Sequence, residues 1–83
     1  MDKYLEANGC VMRILRERKG LSAGFVAKQL GWKSRQFVYN IECGKAALPA
    51  KSVTSIAKIY GVPKLALINL YSAQRFMRYT AEE

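Results

Sequence analysis

Apolar residues recur along this chain at helical rather than strand spacing. The clearest stripe is Val53, Ile56, Ala57 and Tyr60, at i, i+3, i+4 and i+7, which predicts a helix with one buried face. Pro49 suits its first turn and Gly61 its end. Upstream, Met12, Leu15 and either Val11 or Ile14 share the face of a first helix. That helix is expected from Asn8, a plausible N-cap, to Gly20. Tyr4 and Leu5 either extend it backwards or pack as a short arm. Ser22 caps a second helix, Ala23 to Leu30, in which Val26, Ala27 and Leu30 share a face. Gly31, Trp32 and Lys33 form a turn. Ser34 then caps a third helix, Arg35 to Cys43, closed by Gly44. Pro63 opens a fifth that runs towards Arg78 and leaves Tyr79 to Glu83 as a frayed tail. No repeat, low-complexity tract or strand-like alternation interrupts the pattern. The expectation is an all-α, five-helix fold. It forms a single domain over 1–83, with its core at about 8–72 and a helix extension and tail over 73–83.

The third helix carries the chemistry. At 100° per residue, Phe37, Val38 and Ile41 fall on one side. Gln36, Tyr39 and Cys43 point the other way, with Arg35 and Asn40 flanking them. No acid stands among these outward residues, whereas a merely solvated helix face would more often mix Glu with Lys. Arg can donate two hydrogen bonds to guanine, and Gln or Asn can pair bidentately with adenine. Two helices joined by a short turn, the second presenting such a face, make a helix-turn-helix. The small Ala27 allows the close crossing, and Gly31 the backbone freedom of the turn.

Charge strengthens this picture. Fourteen Lys and Arg oppose six Asp and Glu in 83 residues, a net charge of +8. Between Arg18 and Arg78 the only acid is Glu42. A basic body with acidic ends fits a polyanionic partner, nucleic acid or an anionic membrane. A membrane-surface protein would concentrate its basic/apolar split on one helix, but here the basic residues are spread over several. An RNA module would want stacking platforms, for which only Tyr39 and Trp32 are candidates. Enzymatic function is not expected: there is no His, no paired carboxylate, no phosphate loop and no Cys with a plausible base. Cys10 and Cys43 make neither a zinc site nor a disulfide framework, so neither metal nor cofactor is expected, and a reduced compartment is. No apolar run is long enough for a membrane span, and Met1 to Glu6 does not read as a secretory signal.

From Arg13 to Tyr71 the chain resembles the Cro/C1-type helix-turn-helix family of phage repressors and small bacterial regulators. The resemblance rests on "LRERKGLS" at Leu15–Ser22, "VAKQLG" at Val26–Gly31, "IECGK" at Ile41–Lys45 and "SIAKIYGV" at Ser55–Val62. It implies a five-helix phage-repressor-like domain in the cytoplasm of a bacterium, host- or phage-encoded and nucleoid-associated, with a homodimer bound to a palindromic double-stranded DNA operator, as a repressor. It implies base reading by Ser34, Arg35, Gln36 and Asn40, with Tyr39 adjacent and outward, and phosphate contact by Lys45. It also implies an ion pair between Arg16 and Glu42 that ties the first helix to the third. Ser22, Lys28, Lys33 and Lys51 are further candidates for the DNA backbone.

Three departures stand out. The turn "GWKS" is one residue longer than the commonest spacing, Ala23 stands where a backbone-contacting Gln is frequent, and Phe25 stands where a polar residue is usual. Phe25 either packs on Trp32 or faces a partner. Tyr39 touches a thymine methyl, reaches a phosphate or stacks on Arg35. The fifth helix is apolar around much of its girth, which suits either a dimer interface through Leu67, Leu70, Tyr71 and Phe76 or burial within the monomer. An antitoxin-type protein using that helix for another protein partner would look the same. A basic RNA- or membrane-surface-binding protein is the remaining alternative.

Overall fold

Four glycines, each placed where a helix must stop, divide the chain. The computed structural model describes residues 3–70. Within them α1 spans Lys3–Arg18, α2 Ala23–Gln29, α3 Arg35–Glu42 and α4 Val53–Tyr60, and α5 occupies 64–70. A single 3-10 turn, Ala50–Ser52, leads into α4. No strand occurs among the described residues, so the fold is all-α as the spacing predicts.

The core lies where α1 to α5 converge. Met12, Val26, Val38, Ile41, Ile56 and Leu67 are each 3% exposed or less. One residue or more from every helix therefore meets at the centre, and the stripe Ile56, Ala57 and Tyr60 is buried as its periodicity requires. Ala27 is also buried, which lets α2 and α3 pack closely.

Two expectations need correction at the first and fourth helices. Asn8 is not an N-cap. α1 begins five residues earlier, at Lys3, and Asn8 is buried within it, its amide donating to the Leu70 carbonyl of α5 at 3.1 Å. Local capping preference lost to a tertiary bond across 62 residues of sequence. Pro49 likewise sits outside α4. Its ψ of 133° is extended, and it precedes the 3-10 turn rather than joining the helix. The projected run of the fifth helix to Arg78, and the tail after it, lie outside the described residues.

Gly9 brings α1 and α3 together. A Cβ at Gly9 would stand 2.6 Å from the Glu42 carbonyl oxygen and closer still to that of Ile41. At Gly44, just past α3, a Cβ would stand 2.7 Å from the Glu6 nitrogen. Two bare Cα positions thus let the first helix lie directly on the end of the third.

Helix propensity and packing give opposite forecasts for two glycines. In propensity alone, Gly→Ala inside a helix gains up to about 1 kcal/mol. Gly24 in α2 has only Ser22 Oγ near, at 4.0 Å, so Gly24→Ala should realise that gain. Gly9→Ala should instead lose about 1–3 kcal/mol, because the neighbours are backbone and cannot swing aside. Urea unfolding of both variants checks this, and a stabilised Gly9→Ala would show that the α1–α3 approach is slack.

Candidate nucleic-acid interface

The surface of α3 is held from both ends. At its start Ser34, in extended conformation, accepts the Gln36 N–H on its Oγ at 3.0 Å. This satisfies one of the free donors of the first turn. At its end the Lys45 N–H donates to the Asn40 carbonyl at 2.8 Å and the Gly44 N–H to that of Ile41 at 3.3 Å. That pair of bonds, with Gly44 at φ 84°, is a Schellman stop. α2 is held in the same way. Ser22 Oγ accepts the Phe25 N–H at 3.0 Å. At the far end the Trp32 N–H reaches the Ala27 carbonyl at 2.9 Å across Gly31, φ 72°. In the turn between them, Trp32 packs edge-on against Phe37, with ring centroids 4.6 Å apart and planes at 76°. The ring on Trp32 is therefore Phe37, while Phe25 is left 45% exposed.

The buried and outward faces of α3 separate as the sequence requires. Val38 and Ile41 are buried and Phe37 packs against the core. Ser34, Arg35, Gln36 and Tyr39 are exposed and Asn40 is half-buried. Gln36 Nε2 donates to Asn40 Oδ1 at 3.1 Å, one helical turn away. The Tyr39 ring stands over the Arg16 guanidinium, 6.0 Å from Cζ to centroid. Ser22, Lys28, Lys33, Lys45 and Lys51 are all exposed. Leu67, expected at a dimer interface, is 1% exposed and belongs to the core of its own chain. Leu70 packs partly against that core. Leu65, 68% exposed, is the open leucine of α5. Tyr71 and Phe76 lie outside the described residues.

Arg16 and Glu42 join α1 to α3. Nε of Arg16 donates to Glu42 Oε2 at 2.7 Å and Nη2 donates to Oε1 at 3.1 Å. Nη1 donates to the Leu21 carbonyl at 2.9 Å. The side chains are only 11% and 4% exposed, so this bidentate pair works in a low dielectric. The hydrogen bond to Glu42 is the main cause that holds the Arg16 guanidinium above its ordinary pKa. A raised cationic pKa contributes stability below the ordinary guanidinium range and loses it only above that range. Arg16 therefore keeps its charge, and its contribution, across neutral pH.

The same pair shapes the surface field. Over residues 19–70 the basic residues are Lys19, Lys28, Lys33, Arg35, Lys45, Lys51, Lys58 and Lys64, and the sole acid is Glu42. Because Glu42 is buried and neutralised by Arg16, that stretch presents no exposed carboxylate. The exposed salt bridge within α1, Arg13 to Glu17 at 3.7 Å, contributes little. A core void of about 10 Å³ beside Met12, Val26 and Ile56 is too small for a ligand. Among the described residues no cluster of His, Cys, Asp or Glu could hold a metal ion, and no helix is long and apolar enough to cross a membrane.

The roles of Gly9 and Gly44 as contact points were not foreseen in the sequence. An isolated Gly inside a helical pattern was the available signal, since such a residue weakens the helix unless a close approach uses it.

Removing one partner of the buried pair should be far worse than removing both. Arg16→Ala and Glu42→Ala should each cost about 3–5 kcal/mol, because a buried charge is left unpaired. Arg16→Met with Glu42→Leu should recover most of that loss. Thermal melts of the parent, the two Ala variants and the Arg16→Ala/Glu42→Ala double variant form the cycle, and additive losses would mean that the two side chains act independently.

The arrangement is thus two short capped helices around a glycine turn. The second bears an acid-free polar face, in a stretch whose exposed charges are all basic. Comparisons with curated proteins and with solved structures return no significant match. A family profile described as a helix-turn-helix domain matches residues 9–70. That span runs from the glycine on which α3 rests to the last described residue of α5, and covers well over half the chain. This chain belongs to the helix-turn-helix domain family.

Proposed function

We propose that this protein is a sequence-specific regulator of transcription, of the Cro/C1 type, which represses by occupying a palindromic operator in double-stranded DNA as a dimer. It works in the cytoplasm, where the DNA lies, and has no catalytic role. The observation that carries this is the exposed, acid-free polar face of α3, in a family built to present such a helix. In the complex, α3 lies in the major groove. Arg35 and Gln36, in its first turn, meet base edges, and Tyr39 stands beside them. Ser34 holds the helix start. Lys28, Lys33, Lys45 and Lys51, with Ser22 at the start of α2, meet phosphates and fix the register. Lys45 is suited to this because its own N–H is tied to Asn40. Its side chain therefore leaves α3 from a fixed point.

Selection of bound duplexes from a random pool tests the proposal, and recovery of a palindrome supports both sequence reading and two-fold symmetry. With the selected operator, base and phosphate contacts have different signatures. Arg35→Ala should cost about 1–3 kcal/mol on the operator and little on a scrambled duplex. Lys45→Ala should weaken both alike and reduce the salt slope by about one. For a dimer that neutralises on the order of six to ten phosphates, affinity should fall by roughly 10³ to 10⁵ between 50 and 200 mM salt. Equal losses for Arg35→Ala on both duplexes would remove the base-reading assignment, and a flat salt response would remove the electrostatic one.

The dimer forms through the fifth helix. Leu65, 68% exposed, gives it an apolar contact that its own core does not use. Leu65→Glu should leave helicity intact, convert dimer to monomer in light scattering, and lower operator affinity steeply because one half-site remains. A parent protein that stays monomeric at tens of micromolar, about −6 kcal/mol by the affinity scale, would restrict dimerisation to the DNA.

A further inference from the structure

We infer that Gln36 and Asn40 read a single A·T base pair as one unit, with Gln36 making the contact and Asn40 acting as its positioning residue. The inference rests on the proposed DNA-binding role and deepens it. Its basis is the hydrogen bond from Gln36 Nε2 to Asn40 Oδ1 at 3.1 Å. Bidentate recognition of adenine needs an amide oxygen to accept from N6 and an amide N–H to donate to N7. The Asn40 oxygen already accepts from Gln36, which leaves it one free lone pair and ties its orientation to Gln36 while the bond holds. Gln36 gives up one N–H and keeps Oε1 and its second N–H. Both amides keep an acceptor and a donor, so the choice between them falls to position and anchoring.

Position and anchoring assign the roles. Gln36 is in the first turn of α3, exposed, with its own N–H held by Ser34. That is the end of a recognition helix that meets base edges. Asn40 is one turn further in and half-buried. Its carbonyl accepts from the Lys45 N–H at 2.8 Å, the Ala46 N–H at 3.2 Å and the Cys43 thiol at 3.7 Å. Asn40 is therefore the fixed member and Gln36 the projecting one. A free Gln side chain must surrender its rotamer freedom when it docks on a base. A Gln already tethered to a fixed neighbour surrenders less, and this pre-organisation favours the correct base. The tether also links base and backbone contacts, since the Asn40 carbonyl that anchors the pair also places Lys45.

The test measures binding of each variant to the selected operator and to all of its single-base-pair substitutions. Gln36→Ala should reduce discrimination at one A·T pair by roughly 5- to 150-fold, the range of a bidentate contact. Asn40→Ala should reduce discrimination at that same pair, by less, and the double variant should lose no more than Gln36→Ala. Asn40→Asp keeps the accepting oxygen and removes the Asn donors. It should therefore preserve the base preference while weakening all duplexes alike, because it adds a negative charge beside the phosphates. Matching thermal melts of all four variants would exclude unfolding as the cause. Loss of preference at a different base pair in Asn40→Ala would mean that Asn40 reads a base of its own. An unchanged preference would mean that the bond is only a surface pair on the helix. Either result overturns the inference and leaves the DNA-binding role intact. A parent protein that selects no sequence from the random pool would overturn both.

Discussion

The close approach of α1 to the end of α3 is the constraint on which the remaining structure depends. It has two parts with different physics. Gly9 removes a side chain, so that backbone meets the Ile41 and Glu42 carbonyls directly. Arg16 then closes the junction two turns along with a bidentate bond to Glu42 and a third bond to Leu21. The first part is steric and sets the distance. The second is electrostatic and sets the rotation of α3 about its axis, because a planar guanidinium meets a carboxylate fork in few orientations. An eight-residue helix is too short to be stable alone. Its direction in space is what these contacts and its two caps impose.

Much of this was legible in the sequence, and the reasons differ by position. Ser22 and Ser34 were recognisable because capping is a local preference expressed within three residues. The stops at Gly31 and Gly44 were legible for the same reason: the left-handed conformation selects glycine strongly. Glu42 was legible as a lone acid in a basic body, which needs a partner, and the family resemblance supplied Arg16. Asn8 misled because its local preference points to a cap, whereas its partner is the Leu70 carbonyl far along the chain. No window of sequence contains both. Leu67 and Leu65 show the same limit on a small scale. Both are apolar and lie two residues apart on one helix, but which faces inward depends on how α5 docks, and that is a tertiary property.

The candidate interface divides along the same line. Which residues of α3 point outward followed from the helical period, and Ser34, Arg35, Gln36 and Tyr39 are exposed as that period requires. What they do to one another did not follow. The Gln36–Asn40 bond and the placement of Tyr39 over Arg16 depend on rotamers that the spacing allows but does not select. The Tyr39 contact also has a consequence for coupling. The guanidinium that locks the junction is the one beneath an exposed ring of the reading face, so the orientation of that ring depends on α1 as well as on α3.

Glu42 links the fold to the field around it. A carboxylate near the end of α3, left in solvent, would stand in a stretch whose other charges are all basic and repel the phosphates that stretch attracts. Burying it carries a desolvation cost that only a well-formed partner offsets. Arg16 provides that partner from a different helix, and its charge persists across neutral pH because the bond to Glu42 holds its pKa up. One interaction therefore closes the helix junction and also removes the single acid of residues 19–70 from the surface. A neutral pair at the same place could close the junction equally well. The ionic pair leaves the remaining sequence free to be basic without an unpaired carboxylate at its centre, and so the packing of α1 on α3 and the attraction of α3 for a polyanion have a common origin.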